Sequence, residues 1–341
     1  MNPSRRQFLP GIVLTGLFLW LAFRQVHFHE LGISFAKVTW GWLLPGVLTV
    51  MLGHYLRAVR WGFLIGPLQR VPTGPLFSSL LVGYMGNMLL PAHLGEFIRA
   101  YLLGQRRRLS PGSVLASIVV ERLLDVATLV LLLGLSLLVF PFPSWVRNSG
   151  LVVLAGVVGL GLLLAAGKRH PGPTSRWLTG AVRVLPPAAR GKVVAAVVSF
   201  LAGLQPLRRR RDYLWTVLLS ASIWASYAAV FWLVFRAFGY QRLYGLSWLA
   251  ALVLLVVTTI SVLVPSSPGY IGTYHYLCQV ALGFFAVPRA QALSYAILVH
   301  ALNFFPILLA GALVLLLGSG GFASMRQAGR TIAAGASGTG R

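Results

Sequence analysis

Charged side chains interrupt two apolar stretches of this chain at spacings that suit ion pairing. In MGNMLLPAHLGEFIRA, Glu96 and Arg99 stand one helical turn apart, so their side chains could pair on one helix face. Further on, Glu121 and Asp125 are four residues apart, with Arg122 beside them. These groups could bind a charged headgroup, relay protons, or form a structural ion-pair network, and the spacing leaves all three open.

The composition is that of an integral membrane protein. Of 341 residues, 57% are hydrophobic and 10% are charged, and the mean hydropathy is +0.80; soluble domains carry about 25% charged residues. Backbone groups in lipid must be hydrogen-bonded within the chain, and the apolar runs are too long for barrel strands. We therefore predict an all-α polytopic membrane protein. The single cysteine, Cys278, excludes an intrachain disulfide.

Apolar segments long enough to cross or enter a bilayer recur along the chain and predict about eight to ten membrane segments. They are 8–23, 40–56, 76–90, 112–140, 149–167, 213–235, 246–264, 268–287 and 290–318. Arg5 and Arg6 precede the first, as in an export signal, but no small-residue cleavage site follows, which favours an anchor helix.

The distribution of Lys and Arg predicts the orientation. With both termini in the cytoplasm, 22 basic residues face the cytoplasm and six face outward, as expected for an inner-membrane protein. The basic loop 168–212 is then cytoplasmic, and its stretch 192–204 is either an interfacial helix or an ordinary charged loop. The net charge of +24 fits this orientation better than nucleic-acid binding. The Gly-, Ala- and Ser-rich tail 319–341 is predicted to be disordered.

Two hairpins share a Pro-x-x-x-Gly pattern. The first has Pro91 and Gly95, and the second has Pro265 and Gly269. Proline ends a helix and glycine permits a tight turn, so each hairpin is predicted to be re-entrant or to contain a broken helix. The alternative is a pair of kinked helices with a purely structural role.

The flanks of the hairpins also match in order. YLRAV resembles VFRAF, pairing Arg57 with Arg236, and ASIVVER loosely resembles YAILVHA, pairing Glu121 with His300. A transmembrane domain over 1–318 would thus contain two halves, 40–140 and 213–318. The predicted topology places these halves in inverted orientation, an arrangement that many secondary transporters share.

A helix broken at membrane depth presents free N–H groups and a positive dipole end, which can bind an anion. The second hairpin has polar groups but no full charge, so it could meet a phosphate from the outer side. These groups are Ser266, Ser267, Thr273, Tyr274, His275 and the amides around Gly269 and Gly272. Glu96 in the first hairpin would suit a cationic group or a proton from the inner side. The alternative is that SSPGYIG is only a tight turn.

Enzyme signatures are weak in this sequence. Apart from His27 and His29 in an outer loop, the histidines are scattered rather than set at metal-ligand spacing. Neither a nucleophile elbow nor a phosphate-binding glycine loop is present. We therefore predict no catalytic residues, no metal and no cofactor.

Four stretches, YLRAVRW, GYMGNMLLPAHLGEFIRAYLL, SVLASIVVERLLD and VPSSPGYIGTYH, resemble in this order the lysylphosphatidylglycerol synthase/flippase transmembrane-domain family. The resemblance covers about residues 10–318. Carried over, the family pattern falls on Arg57, Arg60, Asn87, Pro91, Gly95, Glu96, Arg99, Glu121, Arg122, Asp125, Pro265, Gly269 and Gly272.

The resemblance implies translocation of a phospholipid or lipid-linked substrate between leaflets, with membrane lipids, anionic or lipid-linked, as partners. Full-length synthases of the family add a C-terminal aminoacyltransferase domain, which this sequence lacks, so aminoacyl transfer is not expected. Two alternatives stay open. One is a non-transporting accessory protein of envelope lipid or glycan biosynthesis. The other is a membrane-embedded transferase acting on a polyprenyl or phospholipid substrate.

Overall fold

The computed structural model consists of helices joined by turns and irregular connections, with no strand among the residues that it describes. These are 14–24, 26–90, 93–144, 147–148, 150–152, 154–156, 158–159, 207, 209–263 and 268–317. The all-α prediction is confirmed for these ranges. Several predicted features lie outside the described residues, namely Pro91, Pro265, Ser266, Ser267, most of the loop 168–212 and the tail 319–341.

Eleven α-helices are named in chain order below. They are α1 (Leu14–Phe23), α2 (Phe28–Ala36), α3 (Leu43–Ile65), α4 (Thr73–Leu89), α5 (Leu94–Arg107), α6 (Pro111–Val139), α7 (Arg210–Phe238), α8 (Tyr240–Tyr244), α9 (Trp248–Leu263), α10 (Thr273–Gly283) and α11 (Arg289–Leu317). Short 3-10 helices at Trp40–Trp42 and Pro268–Tyr270 precede α3 and α10.

Four helices in the described part are long and apolar enough to cross a membrane. They are Trp40–Ile65, Pro111–Val139, Arg210–Phe238 and Arg289–Leu317. Leu14–Phe23 and Trp248–Thr259 are shorter apolar helices. A multi-pass membrane protein is thus supported, and the figure of eight to ten segments stays a prediction.

The same helix order occurs twice. In the first half, α4 and α5 lie between the long helices α3 and α6; in the second, α9 and α10 lie between α7 and α11. Each pair of short helices is interrupted where the sequence predicted a break, between Leu89 and Leu94 and between Leu263 and Thr273. The inverted orientation of the two halves stays a prediction.

Small residues let the helices that carry the charged groups approach closely. A methyl group at Gly53 of α3 would lie 2.6 Å from Ser226 Oγ of α7, and this contact brings Arg57, one turn later, beside Tyr227. A methyl group at Gly95 of α5 would collide with the carbonyl oxygen of Gly83 in α4. This close crossing fixes α5, and therefore Arg99, against α4.

Two of the apolar clusters in the described part involve the long helices of the chain. The larger one combines α7, α9 and α11, and includes Phe235, Leu254 and Tyr295. The smaller one combines α3 to α6 around Trp61, Leu103 and Ile118, all fully buried. The charged residues project from the helices of this second cluster, which buries most of them and leaves Glu96 and Arg122 partly exposed.

Candidate functional site

Glu121 is the centre of a buried ion-pair network. Its side chain is 0% exposed, and its two carboxylate oxygens accept from different helices. Arg57 Nη1 of α3 donates to Oε1 at 3.0 Å, and Arg99 Nη2 of α5 donates to Oε2 at 2.7 Å. Because a buried carboxylate needs such partners to offset its desolvation, Glu121 ties α6 to both neighbours.

Asp125 repeats this arrangement one turn along α6. Arg57 Nη1 donates to Oδ2 and Arg60 Nη2 donates to Oδ1, each at 2.6 Å. Arg57 therefore bridges both carboxylates of α6, as the i,i+4 spacing of Glu121 and Asp125 permits.

Glu96 and Arg122 form the more accessible edge of the network. Their side chains are 20% and 34% exposed, and Arg122 Nε lies 2.8 Å from Glu96 Oε1. Arg122 also donates to the Tyr84 hydroxyl at 3.2 Å and approaches Asp125 at 3.5 Å. The spacing of Glu96 and Arg99 suggested that these two could pair; instead, Glu96 meets Arg122, because Arg99 turns towards Glu121.

Neutral side chains complete the site. Arg57 Nε donates to the Tyr227 hydroxyl at 3.0 Å, and Arg60 Nη1 donates to Ser220 Oγ at 2.8 Å. The Arg99 guanidinium stacks on Trp61, 3.6 Å from the ring centre, and Trp61 Nε1 is held by Ser117 Oγ at 2.9 Å. The sequence analysis missed these partners, since a tyrosine or serine in an apolar helix looks like any other core residue.

The network carries more positive than negative charge. Four guanidinium groups, from Arg57, Arg60, Arg99 and Arg122, face the three carboxylates of Glu96, Glu121 and Asp125. Arg60 Nε and two nitrogens of Arg99 are buried without a hydrogen-bond partner among the described residues. A surplus of cationic donors is suited to an anion rather than to a second cation.

The two helix breaks meet beside this network. His93, at the start of α5, has its Nε2 atom 3.1 Å from the hydroxyl of Tyr270, which precedes α10. Glu96 N–H donates to the carbonyl of His93 at 3.1 Å, so the accessible edge lies within one turn of the contact. The structure thus brings the first hairpin against the described part of the second.

The described polar groups of the second hairpin bond mainly within the hairpin and to α11. Gly272 N–H donates to His275 Nδ1 at 3.3 Å, and Thr273 Oγ1 donates to the Tyr270 carbonyl at 3.1 Å. His275 Nε2 lies 3.4 Å from His300 Nδ1. A phosphate at this point would compete with these bonds, and the anion site at the second hairpin stays a prediction.

The remaining predicted residues have packing roles in the structure. Gly95 allows the close crossing with α4, where Asn87 Oδ1 is buried without a hydrogen-bond partner among the described residues. Gly269 lies against Phe304. Arg236, which the repeat pairs with Arg57, is exposed and lies over Trp42 instead of in an ion pair, so the two arginines are not chemically equivalent.

The arrangement provides ion pairing and hydrogen bonding between helices. Within the described ranges, no group of three or more His, Cys, Asp or Glu side chains could hold a metal ion. The chemistry that these side chains permit is the replacement of one anionic partner of an arginine by another.

Comparison with known proteins gives two relatives, both archaeal. Glycosyltransferase AglD of Haloferax volcanii is 26% identical over 324 residues, which cover 86% of this chain and 51% of AglD. A UPF0104 membrane protein of Methanothermobacter thermautotrophicus is 25% identical over 251 residues, covering 68% of this chain and 72% of the relative. The chain thus spans about half the length of AglD.

A protein-family comparison agrees with the resemblance noted in the sequence. Residues 8–311 match the family described as the lysylphosphatidylglycerol synthase TM region. The match takes in α1 to α10 and most of α11, and therefore the whole network and both hairpins. The chain belongs to the lysylphosphatidylglycerol synthase transmembrane-region family.

Proposed function

We propose that this protein moves a phospholipid or a lipid-linked substrate between the leaflets of the cell membrane. The observation that carries the proposal is the contact of His93 with Tyr270, where two interrupted helices from separate halves of the chain meet beside a charged network. Interrupted helices that meet from two halves are the usual architecture of a substrate site in secondary transporters.

The accessible edge supplies a mechanism for substrate exchange. A lipid phosphate that reaches Arg122 replaces the carboxylate of Glu96, from which the Arg122 Nε atom is 2.8 Å away. The incoming anion takes over the pairing with Arg122, so the guanidinium is not left unpaired, and the displaced Glu96 carboxylate turns to the water that already reaches it. The fully buried pairs of Glu121 hold the helices in place while this exchange occurs.

Passage of a headgroup requires the two hairpins to separate at His93 and Tyr270. We therefore expect a cross-link between them to stop transport. The chain contains a single cysteine, Cys278, so a Cys278→Ala background carrying His93→Cys and Tyr270→Cys can be joined by a short, reducible thiol cross-linker. Translocation is measured in proteoliposomes with a fluorescent phosphatidylglycerol and external dithionite.

The expected result is a translocation rate that falls on cross-linking and returns on reduction. The matched control is the pair His29→Cys and Ile33→Cys, one turn apart on α2, whose cross-linking leaves the rate unchanged. A cross-linked His93–Tyr270 pair that still translocates would refute the gating mechanism. If the Cys278→Ala protein translocates none of the phospholipid and lipid-linked probes, the transport function is refuted.

A second candidate function is a membrane component of glycan biosynthesis, as an accessory protein or as a transferase on a polyprenyl-linked substrate. The similarity to a protein named as a glycosyltransferase favours it. Incubation of the purified protein with a radiolabelled nucleotide sugar and a polyprenyl phosphate tests the transferase. Label in the lipid phase would support it, whereas translocation without label transfer would support the flippase.

A further inference from the structure

A basic groove of about 410 Å³ lies at the Arg-rich end of α3 and α7, apart from the buried network. Its floor is formed by the last turns of α3, at Val59, Gly62, Phe63 and Gly66. Its rim carries three arginines: Arg70 from the α3–α4 connection, and Arg209 and Arg211 from the start of α7. An apolar floor under a cationic rim is suited to an amphipathic anion.

The rim arginines are not neutralised by the described part of the chain. Asp212 also lines the groove, and its Oδ2 atom accepts the backbone N–H of Arg209 at 3.1 Å and so caps α7. Its single charge offsets one of the three positive charges at most. None of the three guanidinium groups has a described carboxylate within ion-pair distance. The groove therefore concentrates positive charge that an incoming phosphate can use.

The exposed residues that follow the groove on α7 point to a lipid rather than a free ion. Immediately after the rim, α7 exposes Tyr213, Trp215 and Val217, with relative exposures of 49%, 51% and 63%. Exposed Tyr and Trp next to exposed aliphatic residues mark the boundary between headgroups and hydrocarbon. The three arginines are thus expected at headgroup level, next to an exposed apolar surface of α7 that acyl chains can contact.

The groove shares its helices with the buried network. Val59 and Gly62 flank Arg60 and Trp61 on α3, and Ser220, which accepts from Arg60, lies about 12 Å along α7 from Asp212. We propose that this groove binds the phosphate of an anionic lipid headgroup from the adjacent leaflet. A role of the groove as the place where a lipid binds before it is transported rests on the proposed function. The binding of the lipid itself does not.

The test measures binding of a short-chain fluorescent phosphatidylglycerol to the full-length protein in detergent, with phosphatidylcholine and inorganic phosphate as competitors. We expect phosphatidylglycerol to be displaced by unlabelled phosphatidylglycerol far better than by either competitor. Arg70→Gln/Arg209→Gln/Arg211→Gln should lower the affinity by tenfold or more, since each surface arginine contributes several-fold. Arg70→Lys/Arg209→Lys/Arg211→Lys should retain most of it.

The matched control is Arg147→Gln/Arg242→Gln/Arg289→Gln, which removes the same charge from exposed positions elsewhere and should change the affinity less than twofold. Unchanged affinity in the groove variant, or an equal loss in the control, would overturn the proposal. Displacement by millimolar inorganic phosphate as effective as by lipid would show a free-phosphate site and refute the lipid claim. If only the groove variant loses selective binding, but neither the wild type nor any variant translocates lipid, the lipid site in the groove is supported and the transport function is refuted.

Discussion

His93 Nε2 and the Tyr270 hydroxyl lie 3.1 Å apart although 177 residues separate them in sequence. Both residues are held at positive φ, 54° and 58° respectively. A left-handed conformation costs a residue other than glycine of the order of 1–3 kcal/mol and persists only where the surroundings enforce it. Each hairpin therefore turns sharply at the point where it touches the other, which makes this contact a specific joint rather than general packing.

Removal of the central carboxylate should destabilise the fold severely. Glu121→Gln leaves the guanidinium groups of Arg57 and Arg99 short of a buried anion, and breaking a buried pair costs about 3–5 kcal/mol. We expect a large fall in the unfolding temperature of the protein in detergent. Tryptophan fluorescence during heating measures this temperature.

A second substitution can identify the ion-pair partner of Glu121. Arg99→Gln in the Glu121→Gln background should recover part of the loss, because it removes the charge that the first change left unpaired. Arg122→Gln, which meets Glu96 instead, serves as the matched control and should give no recovery. Equal recovery by both variants would contradict the pairing of Arg99 with Glu121.

The close crossing of α4 and α5 should not tolerate a methyl group. Gly95→Ala would drive Cβ into the carbonyl oxygen of Gly83, a backbone atom that cannot move aside, and we expect a loss of about 3 kcal/mol or more. Gly112→Ala is the control, since a Cβ there meets open space and should be neutral or slightly stabilising. Thermal unfolding measures both, and equal unfolding temperatures would rule out the close crossing.

Gly272 is expected to be essential for the second hairpin. Its φ is +92°, and a Cβ would lie 2.9 Å from the Thr15 carbonyl oxygen of α1. Gly272→Ala should therefore lower stability, whereas Gly283→Ala, with open space around its Cβ, should not. Limited proteolysis of the purified variants is the measurement. A Gly272→Ala protein as resistant as the wild type would show that α1 and the hairpin are not packed in this way.

The predicted orientation places residues 190 and 330 in the cytoplasm. The reason is the concentration of Lys and Arg in the same loops and tail. Alkaline phosphatase fusions at these positions should be inactive and green fluorescent protein fusions should fluoresce. The reverse pattern would invert the whole topology.

The sequence was sufficient to predict the helical fold class, the membrane environment, the family and the places where helices are interrupted. It also identified the charged residues that the structure brings together, because Glu121 and Asp125 are costly in an apolar helix unless they are paired. Their spacing on α6 further indicated that they share a face.

The pairing itself could not be predicted, because it depends on long-range packing. Arg57 and Glu121 are 64 residues apart, and the choice of Arg122 over Arg99 as the partner of Glu96 depends on how α5 rotates against α6. Tyr227, which is 170 residues from Arg57, carries no local signal of its role. The close helix crossings at Gly53 and Gly95 set the distances between these side chains. A single sequence does not specify how the helices cross.

The excess of one positive charge in the network has an electrical consequence. A unit charge that crosses the full membrane potential changes its energy by about 2.3 kcal/mol per 100 mV. If the inward- and outward-facing states of the proposed transport cycle place this charge at depths that differ by half of the field, their energies differ by about 1.2 kcal/mol at 100 mV, or roughly eightfold in population. The balance between inward- and outward-facing states would then follow the membrane voltage, even for a lipid with no net charge.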